Sequence, residues 1–501
     1  MGAKDVKKVI ITVGKPDGHK SLHIGHLAGG LIYADIYARF MRKELGPGNV
    51  LFLSGTECYG SSVEAAFQAT EGGYPSLREY VYQTHLRQAE VSRDYQVSFD
   101  DFFCDAYDPE LHDIHSKICE MFVDALVQNG DIICKSERIL VDAKGSFLNY
   151  RQVSSSLDRA QFGPEARKIY ASISPDQINN GEIAGIKYVK NYFIDYRKRE
   201  LLLKKLIRTR YSGQEKYLKD YLNSESECCH PFFRLTSDAE WAMDTWINGQ
   251  NKKLWVWIDS LLAPLSYTIK IVGGFAEAME WWGGSNSEVI HFIAEDNIKF
   301  YGVLENCLIA SWNDANEWKI NNPQLYLTPM RTLSREYSGP FPTGEMLLDA
   351  YTPEQIRYCL AAMGPHSVSF CPARLMLHSG QPDMISSRCD SLLKKMNRLL
   401  KNARQQLDTV KTPRTSSDAV KKGNSIYQKY SEQLYQMRFN RAVDVIEENI
   451  RSAIFDRENA AFSARLFLHM LYPILPEYSV RQYSLLFNEE EIYQKYVPET
   501  E

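Results

Sequence analysis

Val9-Ile10-Ile11-Thr12-Val13-Gly14-Lys15-Pro16-Asp17-Gly18-His19-Lys20-Ser21-Leu22-His23-Ile24-Gly25-His26 is the stretch from which the rest of the chain can be read. Its β-branched start reads as a short buried strand, and Val50 to Gly55 reads as a second. Between them Leu27, Leu31, Ala34, Ala38, Met41 and Leu45 recur at steps of four and three. That is one apolar helical stripe, and it stops at Gly46-Pro47-Gly48. Strand, loop, helix and strand make a βαβ unit, which predicts an α/β fold with a doubly wound parallel sheet. The loop from Lys15 to Leu22 then lies at the carboxyl end of the first strand, where open α/β sheets bind ligands.

Gly14-Lys15-Pro16-Asp17-Gly18-His19-Lys20-Ser21 comes within one residue of a P-loop, but His19 replaces the glycine that would let backbone wrap phosphates. The following His23-Ile24-Gly25-His26 sits where a helix begins, and free amides with the helix dipole favour phosphate there. Each imidazole can donate to charge developing on a phosphoryl group, and Gly25 leaves room for a close approach. Two surface histidines in a capping turn would give the same four letters.

The chain has 501 residues, too many for one core, and suggests roughly three structural units. With 44% hydrophobic and 24% charged residues it is neither disordered nor a coiled coil. A formal net charge of −5 argues against nucleic-acid binding by overall charge. The ten cysteines form no C-x-x-C pair and read as reduced thiols. No apolar run is long enough for a signal core or a membrane span, so the expected location is cytoplasmic, with no membrane partner.

His23-Ile24-Gly25-His26 on a βαβ unit resembles the HIGH signature of class I aminoacyl-tRNA synthetases, and the surrounding string resembles the methionyl-tRNA synthetase family. Trp255-Val256-Trp257-Ile258-Asp259 and the block from His291 to Phe300 look like that family's second-half strands, with Ala294 and Glu295 in place of its glycine and lysine. The resemblance implies a Rossmann-like catalytic domain split by a connective insertion, then a C-terminal α-helical bundle. Laid out so, residues 1–112 and 233–325 are the two catalytic halves and 113–232 the insertion. Residues 326–375 would be a KMSKS-like loop with a stem-contact segment, and 376–501 an anticodon-binding-like bundle. From Ile385 the residues themselves agree, since Leu392, Leu393, Met396, Leu399 and Leu400 fall at helical steps.

The resemblance also implies a ligase that joins an amino acid to ATP, with Mg2+, releases pyrophosphate, and passes the acyl group to an acceptor. His23 and His26 would be catalytic, and Gly25, Ala294 and Asp296 would join them in binding ATP. Gly14, Lys15, Glu57, Trp257, Leu261, Pro264 and Tyr301 would line the amino-acid pocket, with Glu57 receiving the α-ammonium. The KMSKS counterpart is Thr332-Leu333-Ser334-Arg335-Glu336, where Ser334 and Arg335 would bind the triphosphate and Arg335 would act in catalysis. Among the pocket residues only Trp257 matches the family, so the substrate is expected to differ from methionine. A buried Lys15 would meet a polar or acidic side chain, and the other reading has Lys15 pointing to solvent.

From Ile132 to Asn191 the insertion offers only Cys134, so no structural zinc is expected. Cys228-Cys229-His230 offers a ligand set but reads as a pair of free thiols, and His112 with His115, three apart, could share a metal but read as a solvated helix face. Residues 386–430 hold eleven Lys or Arg against three Asp, a basic stretch with a linker from Thr409 to Asn424. Asn397 and Lys401 resemble the family's anticodon readers, although no tryptophan follows Trp318. The acceptor stays open between tRNA and a small amine or peptide. A catalytically silent paralogue that binds nucleotide or tRNA is the alternative.

Overall fold

A computed structural model describes residues 6–141, 147–148, 185–209, 232–329, 332–333, 337, 339–364, 369–376, 383–410 and 413–496. Its centre is a five-stranded parallel sheet built from β1 (Lys8–Val13), β2 (Val50–Gly55), β3 (Asp101–Phe103), β4 (Ser287–Ala294) and β5 (Gln324–Thr328). The strand order is β5-β4-β1-β2-β3, with Ile10 paired to Val289 on one side and Leu51 on the other. That is the Rossmann order, whose topological switch point falls between β1 and β4. β2 is buried along its whole length, as a strand covered on both faces must be.

One face of the sheet is covered by the helix Ile32–Leu45, entered through the wide turn Leu27–Leu31 and closed by Gly46 at φ +88°. The other face carries Val256–Val272, packed on Pro109–Gln128, which also meets Glu305–Ala315. Two readings of the sequence are corrected here. Trp255–Asp259 is no strand: Trp255 caps the helix that starts at Val256. A short apolar run cannot by itself distinguish strand from helix, and the burial of Ile258, Leu261, Leu262 and Leu265 settles it. The block from His291 leaves the sheet at Ala294 and turns helical from Glu295.

Pro109–Gln128 is one uninterrupted helix, its buried residues in the same core as Val256–Val272, and it runs across the position drawn at 112/113. Strands Ile132–Val141, Gly185–Asp195 and Phe232–Arg234 then pair antiparallel. Helix Pro353–Met363, assigned above to the stem-contact segment, packs against the helices Met384–Thr409 and Phe439–Phe455 of the bundle. The supposed linker is shorter, because Ser416 caps a helix that runs from Ser417 to Tyr435.

The bundle shares one hydrophobic core with the helix Ile32–Leu45 and its face of the sheet. A buried ionic joint holds them together. Arg357, fully buried, donates to Asp35 at 2.6 Å and to the carbonyls of Tyr95, Ile474 and Pro473 at 2.8–3.0 Å. Asp35 also accepts from Arg39 and from the amide and hydroxyl of Ser98. Burial opposes its ionisation, but Arg39, Arg357 and Ser98 outweigh that and lower the carboxyl from 3.8 to about 2. A depressed carboxyl contributes stability above its unfolded pKa and loses it as pH falls through the folded one. Asp35 is therefore expected to contribute about 2 kcal/mol above pH ~4 and nothing below pH ~2. The melting temperatures of wild type and Asp35→Asn should converge across that window; a gap constant from pH 5 to 2 would refute the linkage.

Candidate active site

The site forms where the loops after β1 and β4 face each other across the switch point. After β1, Gly18 donates to the carbonyl of Glu57 at 2.8 Å and Glu57 donates to that of Pro16 at 2.8 Å, so the loop continues the sheet beside β2. A Cβ on Gly18 would stand 2.6 Å from the Glu57 oxygen, which is why glycine is required there. Gln88 fixes the loop from beneath by donating to the carbonyls of Asp17 and Lys20.

His23 and His26 cap one another's turn. The Nδ1 of His23 accepts from the amide of Gly25 at 3.1 Å, and the Nδ1 of His26 accepts from the amide of His23 at 3.2 Å. With both Nδ1 atoms accepting, a neutral ring carries its proton on Nε2 as a donor. Burial and then Lys20 lower the pKa of His23, while burial and then His23 push His26 down to about 3. Two neutral rings, centroids 3.9 Å apart, thus present Nε2–H groups together. Gly25 has a second reason to be glycine, since a Cβ there would lie 2.8 Å from the ring of His23. Phe341 packs edge-on to His23, and Ile24 and Gly344 exchange backbone bonds with Pro342 and Leu22, tying the signature to the chain beyond the 332–336 stretch.

Ala294 ends β4, and Asp296 stands exposed one short turn later. Gly14 closes β1, its amide bonded to the carbonyl of Phe292 at 3.4 Å. Trp257 is half-buried and stacks on Phe300 at 3.5 Å, while Leu261, Pro264 and Tyr301 are buried. Asn397 and Lys401 lie outside this site, exposed on Met384–Thr409, with Asn397 accepting from the Tyr478 hydroxyl at 3.2 Å. Ser334, Arg335 and Glu336 fall outside the described residues, as do Cys228, Cys229 and His230.

Lys15 does not point to solvent. Its side chain is 3% exposed, with Nζ 3.6 Å from Oε1 of Glu57. Burial opposes its charge, yet Glu57, Tyr267, Asp105 and Asp259 outweigh that and hold the ammonium well above the ordinary lysine range. Burial drives the Glu57 carboxyl up, against the pull of Lys15 and the Ser260 hydroxyl. Sequence reasoning missed Asp105 and Asp259 as members of this site, and it misplaced His115. That histidine is fully buried, 3.9 Å from Asp105, while His112 bonds to the Tyr59 hydroxyl at 3.2 Å. Leu111, His115, Ile118 and Phe122 fall at steps of four, three and four, so the signal for a buried face was present.

A parallel sheet with paired imidazoles at its switch point coincides with what the comparisons show. The family model for tRNA synthetases class I (M) matches residues 9–371. The chain belongs to that family. Among this class I family, the methionine–tRNA ligase of Aeropyrum pernix is 25% identical over 346 residues, covering 66% of this chain and 57% of that protein. The ligase of Flavobacterium psychrophilum is 27% identical over 388 residues, 72% of this chain and 54% of the other. The chain spans about half the length of these curated relatives. Mycobacterium tuberculosis methionyl-tRNA synthetase, in complex with methionyl-adenylate, superposes with a TM-score of 0.70 at 16% identity, over 97% of this chain and 95% of that one. The class I synthetase fold therefore runs nearly the whole length of the chain, the helical bundle included.

Proposed function

We propose that this chain activates an amino acid with ATP and transfers the acyl group from the adenylate to an acceptor. The observation that carries the reading is the pair of neutral Nε2–H donors at the carboxyl end of β1. A substrate carboxylate oxygen attacks the α-phosphorus, the bond to the pyrophosphate oxygen breaks, and pyrophosphate leaves; Mg2+, when bound, would offset charge on the phosphates. His23 and His26 donate to the phosphoryl oxygens as charge builds, an interaction stronger in the transition state than before it. Gly25 keeps the backbone close to the nucleotide, Ala294 borders it, and Asp296 accepts from the ribose hydroxyls. Ser334 and Arg335 neutralise the departing pyrophosphate. An acceptor hydroxyl or amine then attacks the acyl carbon and AMP leaves. The acceptor is tRNA, for which Asn397 and Lys401 offer a contact, or a small amine or peptide. No helix among the described residues is long and apolar enough to cross a membrane, and we place the protein in the cytoplasm.

We infer that the side chain accepted is polar and not a thioether. Lys15 puts a buried ammonium, 3.6 Å from the Glu57 carboxyl, where the resemblance places an apolar wall, and we assign Gly14, Trp257, Leu261, Pro264 and Tyr301 to the same pocket. A thioether placed against that ammonium would strip its remaining hydration without returning a hydrogen bond. Exchange of labelled pyrophosphate into ATP, run over common and unusual amino acids with and without tRNA, is expected to respond to a polar amino acid. Methionine as the preferred substrate would overturn the specificity, and exchange with none would overturn the adenylation itself in favour of a silent paralogue.

A further inference from the structure

Beneath the pocket, three side chains from three elements converge. Asp105 follows β3, His115 sits on the second turn of Pro109–Gln128, and Asp259 on the first turn of Val256–Val272. One donor atom from each lies within 4.8 Å of the other two, and all three residues are buried to 1% exposure or less. None of the four carboxylate oxygens has a hydrogen-bond partner, nor has the buried Tyr267 hydroxyl beside them. The Cys58 thiol favours the ionised form of Asp105 without reaching hydrogen-bond geometry. Buried carboxylates are ordinarily satisfied by donors, and one bare oxygen from each of two carboxylates, brought together with an imidazole nitrogen, calls for a cation.

The imidazole is prepared in the manner of a ligand. Its Nδ1 lies 2.9 Å from the Ser266 hydroxyl, which can take the ring proton and leave Nε2 as a lone-pair donor on the side of Asp105.

We propose that Asp105, His115 and Asp259 form a binding site for one divalent transition-metal ion of the zinc class. Two hard carboxylate oxygens with one borderline imidazole nitrogen suit Zn2+, Mn2+, Fe2+ or Co2+ better than a soft monovalent ion, and the imidazole disfavours Mg2+. Three protein ligands leave a fourth coordination position for water or a further donor. The site is unrelated to cysteine knuckles and needs no catalysis, so metal content is the readout. The full chain, stripped with chelator and titrated with Zn2+ or Co2+, is expected to retain about one equivalent through gel filtration, with Mg2+ not competing. Bound Co2+ should show a ligand-field spectrum without a thiolate charge-transfer band, which reports the ligand set in the wild type whatever the variants do. Asp105→Asn and His115→Leu should each weaken retention by at least ~100-fold. Wild type that retains neither ion, a thiolate band on cobalt, or folded variants that bind as wild type does would overturn the site.

Discussion

His26→Ala is expected to slow amino-acid-dependent pyrophosphate exchange by about 100- to 1,000-fold while changing the apparent KM for ATP little, the mark of a donor used in the transition state. The ring is half-buried, neutral, and oriented by the amide of His23, so its Nε2–H is fixed before substrate arrives. Removing it also releases one side of the reciprocal cap, and His26→Gln separates the two losses. Glutamine can keep a donor at the same reach and should restore part of the rate. A loss that appears wholly in KM would mean that His26 only binds ground-state nucleotide. No loss at all would remove the paired histidines from the reaction.

Arg357→Met is expected to destabilise the chain by about 3–5 kcal/mol, the range seen when one partner of a buried ion pair is removed. Asp35 would keep Arg39 and Ser98 but lose its 2.6 Å donor, and the carbonyls of Tyr95, Ile474 and Pro473 would lose theirs. Methionine roughly fills the aliphatic volume, so the cost reports the polar contacts more than a cavity. Urea unfolding provides the check: the midpoint should fall with little change in slope. A shift under 1 kcal/mol would show that water or Arg39 replaces the lost guanidinium.

The sheet and the signature turn were legible because both are local. Val9–Val13 and Val50–Gly55 declare themselves as buried strands by composition, and the stripe from Leu27 to Leu45 declares the intervening helix. Trp255–Asp259 was misread for the converse reason: the helix Val256–Val272 is buried on nearly every side, so its first turn lacks the alternation that separates helix from strand. The cap at Ser416, with Asp418 in the first turn, was a readable helix start hidden inside a basic run. Asp105, His115 and Asp259 were not legible as a group. They come from a strand end and two helices distant in sequence, and only the packing of Pro109–Gln128 on Val256–Val272 makes them neighbours. Lys15 could be flagged as out of place in an apolar pocket, but the carboxylates that surround it could not be named without the fold.

The shared core between the helix Ile32–Leu45 and the C-terminal helices has a consequence for how such a chain can be inherited. A module joined to its host by a flexible tether can be cut away, exchanged or appended by recombination, because neither part depends on the other to fold. Here a crossover between the two would strand Asp35 without Arg357 and uncover Tyr33, whose hydroxyl is bonded to the carbonyl of Leu360 at 2.9 Å. Residues on either side of that seam can change only in step, so the sheet and the bundle descend as a single block.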